Sequence, residues 1–421
     1  MRRSTRALVK LKEFARVMGP GLVTGASDDD PSGIATYTQA GAAFGFQTLW
    51  TALLTFPLMA SIQEMCARIG IVTCKGLTGT LRLHYPRWVL YGMLLFSFPA
   101  ITLNIGADLE GMAAVSHMLY PKIPVFAYSL AIAVFIIYVI IRFPYDKIAK
   151  FLKWMCIVLL LYIFVPFSIK VDWMSVLRHT FIPSFHFNKD FVNMLVAILG
   201  TTISPYLFFW QATMEAEDIA GRSRKVVVNK YILGNMRKDV DTGMFFSNIV
   251  MFFIILTAGA VLFPNGIRQI DTVDQAAKAL EPLTGQFTYI LFTIGVIGTG
   301  LLAIPVLAGS LSYILAETFD ISGGLSMKFK DAKAFYITIV VSILIGLSLD
   351  FVGISPINAL IYTAILYGLT APVMIWVVMH ICNNKDIMGE HTNSKLANVL
   401  GGATFVLMTV AGVALIWFQF A

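Results

Sequence analysis

The sequence predicts an all-α polytopic membrane protein with eleven transmembrane helices in a five-plus-five inverted repeat. Three observations carry this. The chain is 57% hydrophobic and only 13% charged, with a mean hydropathy of +0.77, where a soluble domain is about 25% charged. Apolar runs long enough for ~30 Å of hydrocarbon recur along its length. Two of those runs are interrupted at corresponding places, a sign of repeats that meet at a binding site.

Taken in order, the runs are 17–45, 47–71, 89–118, 124–142, 150–169, 191–214, 242–263, 285–316, 334–350, 356–379 and 397–419. The whole chain, 1–421, reads as one transporter-like domain. One repeat covers about 17–170, the second about 191–379, and an extra helix about 397–419. With the N-terminus cytoplasmic, outer loops hold only Lys122, Lys170, Arg178, Lys189, Arg268 and Lys278 of the 31 Lys and Arg. That bias sets orientation and puts Ala421 outside. It also explains the net charge of +7 as topology rather than nucleic-acid binding. No small-residue cleavage site follows the basic start, so no signal peptide is expected. Cys66, Cys74, Cys156 and Cys382 show no zinc or redox spacing, and no disulfide is expected. The six histidines fall in loops or near segment ends, which leaves no material for an imidazole cluster.

The first interruption carries Asp28, Asp29 and Asp30, followed by Pro31, Ser32 and Gly33. A carboxylate at that depth costs several kcal/mol, of order 3 on insertion scales, so it marks a site. Pro31 removes a backbone donor and Gly33 loosens the chain, so the helix should break beside the acids. The second interruption runs Gly200-Thr201-Thr202-Ile203-Ser204-Pro205. Available ligands are the Asp30 carboxylate, the Ser204 hydroxyl and carbonyls freed near Ser27 and Thr201. Oxygen-only sites suit hard ions such as Mg²⁺, which keeps several waters and takes one or two carboxylates. Asp28 and Asp29 either hold outer-shell water and deepen the negative potential, or cap the half-helix after the break. Ser204 either lines the site or bonds back to a helix carbonyl. Tyr206 lines the site or simply packs. Asp108 and Glu110 lie near a water-filled path or pair with a basic residue in the bundle. Glu64 is placed to pair with Arg68 at helical spacing. The run Arg222-Ser223-Arg224-Lys225 reads as a topology determinant or lipid-headgroup contact.

At these residues the chain resembles the natural-resistance-associated macrophage protein (NRAMP) divalent-metal transporters, over most of its length. Gly19-Pro20-Gly21, Asp30-Pro31-Ser32-Gly33 and Gln39-Ala40-Gly41 keep the spacing of the family's first helix. Gln63 to Thr73 is similar to the end of its second helix, and Ser355-Pro356-Ile357-Asn358-Ala359 through Pro372 to its tenth. The resemblance implies a metal site at Asp30, and the departures surround it. Gly33 stands for the family's Asn, Ser204 for its Met, Tyr206 and Gln211 for two histidines, and Ala364 for a Gln. In the third helix Asp108 takes the place of a Glu and Ile105 that of a proton-pathway Asp. These substitutions are similar to the divergent NRAMP-related magnesium transporter branch. That branch implies an amino-acid/sodium symporter-like fold, Mg²⁺ and Mn²⁺ as substrates, and no proton coupling. Small residues at 33, 204 and 364 would leave room for a partly hydrated ion.

The expectation is a monomeric, non-enzymatic importer in the cell membrane. Its partners are divalent metal ions and the lipid bilayer, with no nucleic acid and no resident cofactor. The nearest rival is a proton-coupled Mn²⁺/Fe²⁺ importer of the ordinary NRAMP type. A sodium-coupled organic solute symporter shares the architecture. A membrane enzyme would need a catalytic cluster, and His84, His380 and His391 have no nucleophile or metal spacing beside them. A receptor or scaffold would leave the buried acids without a purpose.

Overall fold

The computed structural model describes residues 19–144, 147, 159–221, 228–351 and 353–420. Cys156, the basic N-terminal residues before Gly19 and the run Arg222 to Lys225 lie outside the described residues, as do residues 150–158 of segment 150–169. All regular structure among the described residues is helical.

The first predicted segment is two half-helices, α1 (Pro20–Asp28) and α2 (Pro31–Phe44). Each begins on a proline at its first position, where the missing N–H costs nothing. Asp29 and Asp30 form the break. After α3 (Trp50–Thr73) and the short α4 (Leu77–His84) come α5 (Arg87–Leu119), α6 (Val125–Arg142) and the described part of the fifth segment, α7 (Leu161–Ser168). A connecting helix, α8 (Trp173–Phe181), leads to the second broken pair, α9 (Lys189–Thr202) and α10 (Pro205–Ala220). Then follow α11 (Lys230–Val261), α12 (Thr288–Phe319), α13 (Lys333–Leu347), α14 (Pro356–Asn383) and α15 (Lys395–Phe420).

Segment positions agree with the sequence reading within a few residues, with two exceptions. The break in the sixth segment is narrower than expected: Gly200 to Thr202 stay helical, and only Ile203 and Ser204 leave the helix. Helix α11 starts at Lys230 rather than 242. Its first three turns carry Lys230, Arg237, Lys238, Asp239 and Asp241, which a hydropathy reading assigns to a loop. Asn229 caps this start, its side chain accepting from the Tyr231 and Ile232 N–H groups, and charged residues suit a helix that continues beyond the hydrocarbon. Among the described residues, seven stretches are long and apolar enough to cross a membrane by length and composition, with α9 and α10 counted as one. Their outward faces carry large apolar side chains such as Leu95, Phe135, Val399 and Trp417, as a bilayer requires.

Helix α11 runs alongside both halves of the broken first segment. A Cβ on Gly21 would meet the Val240 backbone at 2.7 Å, one on Gly25 the Gly243 oxygen at 2.3 Å, and one on Gly41 the Ile255 oxygen at 2.4 Å. The α9 helix meets α14 in the same way, with Gly200 against the Ala364 carbonyl. Small residues at these crossings let backbones touch, the usual means of helix association in lipid. Asp239 of α11 then accepts from Gly19 N at 2.9 Å and Gly21 N at 2.7 Å. It serves as the N-terminal cap of a helix it does not belong to, satisfying two of the donors every helix start leaves open.

Candidate functional site

The two breaks face each other in the interior. Asp30 is the N-cap of α2: its Oδ1 accepts from Gly33 N at 2.7 Å. Its Oδ2 accepts from Asn104 Nδ2 of α5 at 3.0 Å, and Asn104 Oδ1 in turn accepts from Thr363 Oγ1 of α14 at 3.0 Å. Ser32 Oγ donates to the Leu360 carbonyl of α14 at 2.8 Å. Asp30 is thus fixed by α5 and, through Asn104, by α14. The capping role allowed for Asp28 or Asp29 belongs to Asp30 instead. Asp28 is the last residue of α1, and Asp29 its C-cap.

From the second break, Tyr206 Oη donates to the Ser27 carbonyl at 3.0 Å. Ser204 Oγ bonds back to the Gly200 carbonyl at 3.1 Å and the Thr201 carbonyl at 2.7 Å. Both carbonyls expected to be freed by the breaks, at Ser27 and Thr201, therefore already accept a hydroxyl, and each keeps one lone pair. Gly33 sits between the breaks: a Cβ there would make ordinary contacts with the Asp28 carbonyl at 3.4 Å and Thr201 Oγ1 at 3.5 Å. Asp108 of α5 is fully buried with the Ser32 amide beside it, and neither of its oxygens closes a hydrogen bond. The basic partner that sequence reasoning allowed for it is absent among the described residues.

Two residues expected in the second shell or pathway make contacts between helices. Gln211 is a clasp between α1, α10 and Glu215: its Oε1 accepts from Thr24 Oγ1 at 2.5 Å and its Nε2 donates to Glu215 Oε1 at 3.0 Å. Ala364 is buried with its carbonyl against Gly200, where α14 crosses α9. Two residues were missed. Asn104 is one. The other is Tyr367 of α14, whose ring lies 5.7 Å from that of Tyr206 and whose hydroxyl is buried, unpaired, and within electrostatic reach of Asp30 and Asp108. Asn104 had a readable signal, a lone amide in an apolar run one turn before Asp108. Glu64 and Arg68 pair at 3.4 Å as expected.

Asp28, Asp29 and Asp30 are at most 5% exposed. A cavity of about 540 Å³ beside the end of α2 is lined by Gln39, Asp190, Asn193, Arg268 and Tyr362. Another of about 270 Å³, toward the other ends of these helices, is lined by Lys75, Arg82, Glu217, Tyr313, Glu317 and Asp320. In the second, Arg82 Nη1 lies 2.6 Å from Asp320 Oδ1 and holds that carboxyl below its usual range. Asp30 lines neither cavity, so the site is closed to both. Among the described residues no three His, Cys, Asp or Glu side chains stand close enough to hold an ion together. An ion at Asp30 would depend on one carboxylate, hydroxyls, carbonyls and its own water.

Known proteins share this architecture. The divalent metal cation transporter MntH of Bacillus subtilis (strain 168) is 26% identical over 406 residues, covering 95% of this chain and 91% of the relative. Its namesake from Caldanaerobacter subterraneus is 24% identical, covering 95% and 93%. A crystal structure of the Eremococcus coleocola manganese transporter superposes with a TM-score of 0.73 at 17% identity, covering 95% of this chain and 86% of that one. Mhp1, a nucleobase-cation-symport-1 transporter, superposes at 0.57 and 12% identity over 95% and 91%. These neighbours share the fold of broken helices and inverted repeats. The family model described as natural resistance-associated macrophage protein-like matches residues 21–418, and the chain belongs to that family.

Proposed function

We propose that the chain carries divalent cations through the cell membrane, importing Mg²⁺ and also Mn²⁺ by alternating access as an uncoupled uniporter. The observation that carries this is the site's chemistry. Asp30 is buried where two broken helices meet, and the groups around it are oxygen and amide donors: Asn104, Thr201, Ser204, Tyr206 and Tyr367. A thioether favours thiophilic metals, whereas hard oxygens and room for water suit Mg²⁺. The names of the relatives, divalent metal cation transporters and a manganese transporter, support the broader class. In this reading the N-terminus is cytoplasmic, the C-terminus extracellular, the chain a monomer, and the repeats run about 17–170 and 191–379. The membrane potential supplies the drive: two charges over 100 mV are worth about 4.6 kcal/mol.

A second reading, a proton-coupled Mn²⁺/Fe²⁺ importer, is favoured by Asp108, a buried carboxylate near Asp30 with both oxygens free of hydrogen bonds. Uptake into dye-loaded proteoliposomes at an inside-negative potential separates the two. Saturable Mg²⁺ entry, competed by Mn²⁺ and without internal acidification, is expected. Mn²⁺ entry with acidification and no Mg²⁺ entry would replace the first reading by the second.

A further inference from the structure

The Asp30 site leaves two of the three adjacent acids unused, and they turn away from it. Asp30 faces Asn104 on α5, whereas Asp28 and Asp29 face α11. Ser247 Oγ of α11 lies 2.7 Å from Asp28 Oδ2 and 3.3 Å from Asp29 Oδ1. A hydroxyl has one hydrogen, so it can serve one carboxylate fully and not both. Asp28 Oδ1 has no partner at all, although the residue is only 1% exposed. No Lys, Arg or His among the described residues pairs with either acid. The local helix adds to the deficit. Asp28 and Asp29 stand at the C-terminal end of α1, where the aligned peptide dipoles contribute roughly half a negative charge. Buried carboxylates without a counter-charge are among the costliest arrangements a membrane interior can hold.

One divalent ion at Asp30 gives these acids no ligand of their own, because Asp30 bonds to Gly33 and Asn104 while Asp28 and Asp29 share only Ser247. We propose that Asp28, Asp29 and Ser247 form a second cation site, separate from Asp30, which takes a divalent hard cation between α1 and α11. Two carboxylates match the charge of such an ion, and Ser247 offers its oxygen lone pairs once its hydroxyl rotates so that the hydrogen, still bound, points away from the ion. Hard oxygen ligands and waters completing the shell suit Mg²⁺ or Mn²⁺. The inference rests on the transport reading for the identity of the ion, but not for its place.

The test is a count of ions per chain by equilibrium dialysis of the purified full chain in detergent against radioactive Mn²⁺. Wild type is expected to bind two. The double variant Asp28→Asn/Asp29→Asn should bind one, and so should Asp30→Asn. If wild type binds one ion and Asp30→Asn loses it, the second site falls while the Asp30 reading stands. If Asp28→Asn/Asp29→Asn abolishes a single ion that Asp30→Asn retains, the acids facing α11 hold the ion and the Asp30 reading falls. A double variant that still binds two overturns the proposal. So does one Mn²⁺ per chain together with sodium-dependent uptake, which would put a monovalent ion there. Should the double variant aggregate on size exclusion, Ser247→Ala decides: a several-fold weaker second affinity is expected, and two unchanged affinities refute the site.

Discussion

Replacing Gly25 by alanine tests the role of the α1–α11 contact. The new Cβ would lie 2.3 Å from the Gly243 oxygen, 2.4 Å from its carbonyl carbon and 2.7 Å from its Cα. All three are backbone atoms, so no rotamer change relieves the clash. Ordinary contact begins near 3.4 Å, and the helices must part by about 1 Å. Overpacking of this kind costs about 1–3 kcal/mol. That converts to a loss of the closed arrangement of roughly 5- to 150-fold, at tenfold per ~1.4 kcal/mol. Parting α1 from α11 also stretches Ser247 from Asp28, and Asp239 from Gly19 and Gly21. The assay is thermal unfolding of the purified chain beside Mg²⁺ uptake, with Gly92→Ala as control. Gly92 lies inside α5 and a Cβ there meets nothing within 4 Å; alanine should be neutral or better by up to ~1 kcal/mol. Gly25→Ala should melt below the control and transport more slowly. Melting and uptake equal to wild type would refute the argument that this backbone contact closes the protein on that side.

Four further outcomes are expected. Asp30→Asn should abolish uptake while the protein still elutes as a folded species; retained uptake would move the site. Ser204→Met should shift preference from Mg²⁺ toward Mn²⁺ in competition uptake, and an unchanged ratio would defeat the softness argument. Gly33→Asn should fold, because its Cβ meets only ordinary contacts, and should slow Mg²⁺ more than Mn²⁺ by filling space for water; equal slowing of both would count against a partly hydrated ion. Tyr206→Phe removes one neutral hydrogen bond, to the Ser27 carbonyl, worth about 0.5–1.5 kcal/mol, so uptake should fall by a few-fold to about tenfold; wild-type rates would show that the bond does not hold the two breaks together.

What was readable in the sequence follows from where the physics is local. An N-cap residue directly before a proline marks a helix start, so Asp30 and the break before Pro31 were visible from a few residues, although Pro57, Pro99, Pro305 and Pro372 stay inside helices. The same holds for Pro205. Ser204 was ambiguous because bonding back to a carbonyl and lining a site need the same residue, and only the distances to Gly200 and Thr201 show the first. Asn104, Tyr367 and Ser247 were not found. Each sits within an unbroken helix; Tyr367 and Ser247 acquire meaning only from the helix across from them, whereas Asn104 stood out as a lone amide in an apolar run and was passed over. Gln211 was singled out by a family position, and its bridge to Thr24 and Glu215 could not be read from the sequence because Thr24 lies on another helix. Asp239 was read as part of a loop because hydropathy reports where lipid ends, not where a helix does.

The contact along α11 has a mechanical consequence. Where side chains close a passage, they yield by degrees, one rotamer at a time. Here the halves of the broken helix rest on α11 backbone to backbone, at Gly21 and Gly25 on one side of the break and at Gly41 on the other. Backbones have no rotamers to change, so such a seam is either shut or apart, and packed interfaces of this sort behave as switches rather than springs. A single continuous helix serves as the rail for both halves. In the alternating-access reading proposed above, whichever half swings away would unfasten at its own glycines, while the other keeps its place on the same rail and seals its side.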